Sequence, residues 1–216
     1  VAQQLQDPYY LFLRSIVEKQ CFQKGIKVVS VFKKDGTYQL LEDTKLNGII
    51  CIGKFTEEEV NQVSAISSNL VFLDSSPNDE IYDGVKTNFK LGVFQALNYF
   101  TKMGHEKIGF VGSEKTLNDL KIFSLDDRLK FFYEYMKEKG LYNEQFIIDS
   151  EMTYDGGYHS ISEYLKNNGS LPTALFASND AVAVGVIRGL QEAGYEVPKD
   201  ISIIAFNDTI VSQYTN

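Results

Sequence analysis

The chain reads as an α/β protein of two doubly wound parallel-sheet lobes with a ligand cleft between them. Three observations predict this. Apolar runs of strand length alternate with helical patterns along most of the 216 residues. Two of the strands, Ala174–Ala177 and Ile201–Phe206, each run into an Asn-Asp pair, Asn179-Asp180 and Asn207-Asp208. The alternation restarts near Asn88, so 1–88 form an N-terminal lobe and 89–208 a C-terminal lobe, with 209–216 beyond them.

In the N-terminal lobe, Leu13, Ile16, Val17 and Cys21 mark one face of a helix from Tyr9 to Lys24, stopped by Gly25. Ile26–Phe32 runs apolar, as a strand does, and Asp35-Gly36 is a turn. Gly48–Ile52 is a short buried strand. Thr56 and Glu59 make a capping box for a helix through Ser67. Leu70–Leu73 is a third strand, closed by Asp74-Ser75-Ser76-Pro77. The order α, β, β, α, β fits a parallel sheet whose first strand is missing at the N-terminus.

Gly84–Asn88 is a strand that passes from the N-terminal lobe into a new unit, the C-terminal lobe. The helix Phe89–Met103 ends at Gly104. Then follow the strand Lys107–Val111, the helix Ser124–Lys139 and the strand Phe146–Ile148. The helix Asp155–Lys166, the strand Ala174–Ala177, the helix Ala181–Ala193 and the strand Ile201–Phe206 complete it. No internal repeat or low-complexity tract interrupts the pattern.

Composition bounds the function. With 44% hydrophobic residues the chain can bury a substantial core, yet it holds no apolar run long enough to span a membrane. Acids outnumber bases 29 to 21, a net charge of −8, which argues against phosphate neutralisation by this segment. Cys21 and Cys51 sit in apolar contexts and read as buried free thiols of a cytoplasmic protein. His105 and His159 are far apart with no Cys cluster, so no metal is expected. Gly112-Ser113-Glu114-Lys115-Thr116 lacks the spacing of a phosphate loop, and no nucleophile elbow or dinucleotide fingerprint is present. The chain is expected to be neither an enzyme nor dependent on a cofactor.

In an open α/β sheet, ligands sit beyond the carboxyl ends of the strands. The two Asn-Asp pairs deliver amides and carboxylates to that edge, a donor and acceptor set suited to sugar hydroxyls. The stretch Pro172-Thr173-Ala174-Leu175-Phe176-Ala177-Ser178-Asn179-Asp180 and the following Pro198-Lys199-Asp200-Ile201-Ser202-Ile203-Ile204-Ala205-Phe206-Asn207-Asp208 resemble the effector-binding core of the lactose/galactose-repressor family. Gly104-His105-Glu106-Lys107-Ile108-Gly109-Phe110-Val111-Gly112 and Asp127-Arg128-Leu129 match two more of its motifs, in the family's order. The resemblance covers essentially all of the chain and implies a periplasmic-binding-protein-like type I fold.

It also implies ligand-binding residues, each with a local alternative. Arg128 opens a helix after Asp126 and Asp127, where a guanidinium can fork onto two hydroxyls. Otherwise it is a surface arginine paired with one of those aspartates. The family's usual glycine three residues later is Phe131 here. Asn179 either bonds the ligand or caps a helix, with Asp180 assigned the local capping role. Asn207 stands where many members have Asp. Asp74 matches a cleft carboxylate or forms a turn. Ser124 matches a ligand contact or caps a helix. Tyr9 and Tyr10 match an aromatic pair lining the cleft, or pack under the lobe. Met152 falls where the family often has an aromatic platform.

The resemblance implies the effector-binding and dimerisation core of a bacterial repressor of sugar-utilisation genes. Its effector would be a small sugar, with galactose or a galactoside admitted, and a basic headpiece, absent from this chain, would contact operator DNA. Residues 209–216 would begin a crossover back to the N-terminal lobe. Val184 and Tyr214 match positions of a homodimer interface. The helix around Val184 is apolar nearly all round, which suggests a second subunit over its outer side. The alternative is that a neighbouring helix of the same lobe covers it. A different function on the same fold is a solute-binding protein of a sugar transporter.

Overall fold

A computed structural model describes residues 8–31, 33–34, 36–38, 45–117, 120–167, 170–209 and 212. By their contacts they fall into a first unit, within 1–87 and 117–124, and a second, within 88–116 and 125–216.

The first unit begins with α1, Pro8–Gln23, which buries Tyr10 but leaves Leu11, Phe12, Ile16 and Phe22 exposed. Residues 26–31 form no strand, against the expectation from their apolar pattern. Ile26, Val28 and Val29 stand in solvent, and an apolar run becomes a strand only when a neighbour pairs its backbone. The chain instead makes a tight antiparallel pair, β1 (Lys33–Lys34) and β2 (Thr37–Tyr38), around Gly36. β3 (Ile49–Ile52), β4 (Leu70–Leu73) and β5 (Asp83–Val85) then form a parallel sheet in that order. β5 therefore closes this sheet and stops at Val85, three residues short of the Gly84–Asn88 strand in the sequence pattern.

α2, Glu57–Ile66, starts at a capping box: Thr56 Oγ1 accepts from Glu59 N at 3.2 Å, and Glu59 Oε2 accepts from Thr56 N at 2.8 Å. The buried Glu59 carboxylate also receives Lys33 at 2.9 Å and Lys121 at 2.7 Å. One side chain so ties the helix start to two distant pieces of chain. Tyr38, Cys51, Phe55, Val60, Val63, Leu70 and Phe72 make the core. Burial pushes the Cys51 thiol up to about 11, so it stays protonated and inert. Both cysteines are free.

The second unit opens with α3, Phe89–Lys102, and β6, Ile108–Gly112. After β6, two short strands, β7 (Lys115–Leu117) and β8 (Phe123–Leu125), flank the segment 117–124 that belongs to the first unit, where the sequence pattern shows no strand. Next come α4 (Asp127–Glu138), β9 (Ile147–Asp149), α5 (Tyr154–Asn167), β10 (Ala174–Ala177), α6 (Asp180–Glu192) and β11 (Ser202–Ala205). The parallel sheet runs β9-β6-β10-β11. Side chains alternate across it, as strand pleating requires. Phe110, Ala174 and Phe176 face α3 and α4, packing on Leu97, Phe100, Leu129, Phe132 and Met136. Val111, Leu175 and Ala177 face α5 and α6, packing on Ile161, Val182, Val186 and Leu190. Both faces are covered, which makes the sheet doubly wound.

α6 is packed closely by its neighbour α5. A Cβ built on Gly185 would lie 2.1 Å from the Tyr154 carbonyl oxygen, and one on Gly157 2.3 Å from that of Val182. The backbones of α5 and α6 therefore touch, and α5 covers the Gly185 side of α6. Val184 is half-buried, and Tyr214 lies outside the described residues.

Candidate functional site

The order β9-β6-β10-β11 reverses direction between β6 and β10, consecutive in space but not in sequence. Such a switch point leaves a crevice at the carboxyl edge, because the connections on either side depart to opposite faces. Here the strand ends come very close. A Cβ on Gly112 would lie 2.2 Å from Ser178 Oγ, so only glycine fits.

Arg128 reaches this point from the first turn of α4. Its Nε and NH2 groups donate to the two oxygens of Asp126, at 2.8 and 2.6 Å, and NH1 donates to the Ser178 carbonyl at 2.9 Å. Asp126 is the N-cap of α4 and also accepts from the Arg128 backbone N–H at 2.9 Å. Its side chain is 2% exposed and that of Arg128 12%. The pairing with Asp126 foreseen for a surface arginine is therefore real, but it lies beneath the edge of the sheet rather than on the surface. Burial works to raise the Asp126 carboxyl, and the guanidinium and backbone hydrogen bonds outweigh it and hold the group below the usual carboxylate range. The Arg128 guanidinium also sits 5.6 Å over the ring of Phe89, which stacks on Phe206 at 5.3 Å.

Asn179 is the N-cap of α6: Oδ1 accepts from Val182 N at 2.8 Å, and Nδ2 donates to the Met152 carbonyl at 3.2 Å. Met152 is half-buried, and its sulfur accepts from the Ser178 hydroxyl at 3.0 Å. The capping role assigned above to Asp180 thus belongs to Asn179. Asp180 is buried and accepts both the backbone N–H and the hydroxyl of Thr209. Asn207 is exposed just past β11, with a left-handed backbone at φ 98°.

In the first unit, Tyr9, Tyr10 and Asp74 come together at the carboxyl end of β4. Tyr10 donates to Asp74 Oδ2 at 2.7 Å, and Tyr9 lies 3.4 Å from Oδ1. The two rings meet edge to face at 5.1 Å. Asp74 is left-handed at φ 65°, a conformation that Asp tolerates better than most residues. Ser124 does not cap α4, which starts after Asp126. It lies half-buried in β8, within a segment that belongs to the first unit by its contacts.

Sequence reasoning brings out Arg128, Met152, Asn179 and Asn207 on one edge and Tyr9, Tyr10 and Asp74 on another. It misses the Phe89–Phe206 stack, whose rings enter the sequence reading only as the ends of a helix and a strand. It also misses the Asp180–Thr209 clamp. The second Asn-Asp pair being followed at once by a threonine was the available signal.

A family model of the periplasmic binding protein-like domain matches residues 97–216. The chain belongs to that family. An HTH-type transcriptional regulator GalR from Streptococcus thermophilus is 36% identical over 211 residues, covering 97% of this chain and 62% of the relative. An HTH-type transcriptional repressor MelR from Bacillus subtilis is 30% identical, covering 95% and 60%. The chain thus spans about three fifths of the length of these curated relatives. Among solved structures, the Escherichia coli transcriptional repressor ascG superposes with a TM-score of 0.75 at 23% identity, covering 95% of this chain and 76% of that one. A transcription regulator from Lactobacillus plantarum reaches 0.78 at 18% identity, covering 95% and 77%. These relatives are regulators rather than enzymes. Among the described residues, no helix is long and apolar enough to cross a membrane, and no cluster of His, Cys, Asp and Glu could hold a metal.

Proposed function

We propose that this periplasmic binding protein-like domain is the effector-binding core of a cytoplasmic, DNA-binding transcriptional repressor, and that its effector is a small sugar. The observation that carries the reading is the guanidinium of Arg128, fixed at the switch point of the second unit. A guanidinium has five N–H donors in a rigid fork. Three are spent on Asp126 and Ser178, and two remain for ligand hydroxyls. Asn179 keeps one amide hydrogen beyond its two local bonds, and Asn207 is exposed with both ends of its amide unused by the described residues. The phenyl faces of Phe89 and Phe206 suit the apolar C–H face of a pyranose ring. In the first unit, Tyr9, Tyr10 and Asp74 supply hydroxyl and carboxylate groups of the same character, and Ser124 a further hydroxyl.

Solved structures of the same fold support the ligand class, since one holds ribose and another is a cellobiose complex. Galactose or a galactoside is the first candidate for this chain. The names of the relatives favour a regulator over a solute-binding protein of a transporter. Operator binding would come from a helix-turn-helix headpiece in the whole protein, since this acidic chain offers no basic stripe. Ligand would favour one arrangement of the regulator over another, and only the difference in its affinity for the two can shift operator binding. A homodimer fits the two-fold symmetry of such operators. That proposal rests on the kind of relative rather than on α6, and sedimentation equilibrium checks it.

Calorimetry of the full chain with galactose, lactose, melibiose, cellobiose and ribose tests the reading. Arg128→Lys keeps a positive charge beside Asp126 but loses the fork. It should weaken the best sugar at least about tenfold, the equivalent of one charge-assisted hydrogen bond. An Arg128→Lys variant that binds as tightly as the parent would overturn the assignment.

A further inference from the structure

The Asn-Asp pair at the head of α6 divides its labour in a way that leaves one residue unexplained. Asn179 makes the cap, so α6 does not need Asp180 to start. An aspartate in the first turn ordinarily helps through its charge alone and stays in solvent. Asp180 is instead 5% exposed. Its Oδ2 accepts from both the Thr209 backbone N–H and the Thr209 hydroxyl, each at 2.6 Å. A carboxylate withdrawn from water needs such partners to be tolerated.

What this clamp holds is a strained piece of chain. Phe206 N donates to the Ala177 carbonyl at 3.1 Å, in line with the pairing of β11 on β10. The next two residues, Asn207 at φ 98° and Asp208 at φ 50°, are both left-handed, and neither is glycine. Consecutive strained residues persist only where their surroundings over-determine them. Upstream, Phe206 is fixed by its stack on Phe89. Downstream, Asp180 grips Thr209, and the Ser212 hydroxyl lies 2.9 Å from Asp208 Oδ1 and 2.8 Å from the Thr209 carbonyl. Between these anchors Asn207 is displayed at the carboxyl edge, exposed and with its amide unused by the described residues.

We propose that Asp180 is a positioning residue for effector binding: by clamping Thr209 it holds Asn207 in the left-handed conformation that presents its amide to the ligand. The inference rests on the reading of Asn207 as part of the ligand edge. It assigns the two members of the pair separate tasks, with Asn179 starting α6 and Asp180 setting the exit of the neighbouring strand.

A double-mutant cycle on the full chain tests it. Asp180→Ala and Asn207→Ala are made singly and together, and titrated by calorimetry with the same five sugars. Hydrogen exchange at the Thr209 amide is followed without ligand. Loss of the clamp should abolish protection at Thr209 and weaken the best sugar about tenfold, as expected for charge-assisted bonds. The double variant should bind no more weakly than Asn207→Ala alone, because Asp180 acts through Asn207. Additive losses in the cycle, or an unprotected Thr209 with undiminished affinity, overturn the positioning role while leaving the ligand edge intact. If Asn207→Ala binds like the parent, the reading of the edge itself fails and the positioning role falls with it, even though exchange still reports the clamp. Should Asp180→Ala not fold, Thr209→Val removes one donor and keeps the carboxylate partnered. It should lower affinity about threefold or more in a chain that still folds cooperatively, as for a single net hydrogen bond, and unchanged affinity would count against the proposal.

Discussion

The two units place a carboxylate at the carboxyl edge of a parallel sheet and treat it in opposite ways. In the first, Asp74 is half-buried and meets the phenols of Tyr9 and Tyr10. In the second, Asp126 is 1% exposed and meets a guanidinium. The bodies behind them differ in the same sense. The sheet of the second unit is covered by apolar clusters on both faces. Among the described residues the first has one such cluster, while Leu11, Phe12, Phe22, Ile26, Val28 and Val29 stand exposed. In the second unit, then, the proposed binding group is also a stability group. In the first, the edge can change with less effect on the fold.

The sharpest way to break this contrast is Arg128→Ala. It strands the Asp126 carboxylate in a dry site, and removing one partner of a buried pair costs about 3–5 kcal/mol. Denaturant unfolding should show that loss, whereas Asp74→Asn in the first unit should cost about 1 kcal/mol, the net value of an ordinary hydrogen bond. Loss of sugar binding in Arg128→Ala therefore cannot be read apart from loss of fold, which is why the lysine variant is the cleaner probe. Acid sharpens the same point. The folded carboxyl of Asp126 is depressed, so its contribution is full above the unfolded value, about 3.9, and is lost as pH falls through the lower folded value. Asp126→Asn should flatten the stability curve of the parent below about pH 4.

Gly185→Ala comes next. The added methyl meets backbone on α5 at 2.1 Å, where nothing flexible can yield. Overpacking of this kind costs about 1–3 kcal/mol, measurable as a lowered melting temperature. Thr56→Ala is the smallest, at about 1 kcal/mol for a lost N-cap. It should loosen α2 in the first unit, seen as faster amide exchange at Glu59, and leave exchange in the second unit unchanged.

The same difference decides what could be read from the sequence. Strands of the second unit are legible because they are buried on both faces: Ile108–Gly112 and Ala174–Ala177 are continuous apolar runs closed by glycine or Asn-Asp. Ile26–Val31 carries a similar pattern but joins no ladder among the described residues, and pattern alone does not supply a neighbour. The start of α4 was misplaced by three residues because Ser124 is a fair cap in isolation. Asp126 wins the position since its carboxylate also holds Arg128. The residues proposed for the ligand edge can be picked out one by one, because polar groups at strand ends stand out against apolar runs. Their mutual bonds cannot, since Asp180 to Thr209 and Arg128 to Ser178 span 29 and 50 residues of chain.

The excursion of residues 117–124 has a further consequence for how the molecule can be taken apart. The chain passes between the units at 87/88, 116/117 and 124/125, so no single cut separates them. A fragment begun at Asn88 would carry Lys121 away from Glu59, the buried carboxylate it meets at 2.7 Å. The two units are therefore poor modules for shuffling. A hybrid that exchanges the first must bring its own counterpart of 117–124, inserted into the middle of the second.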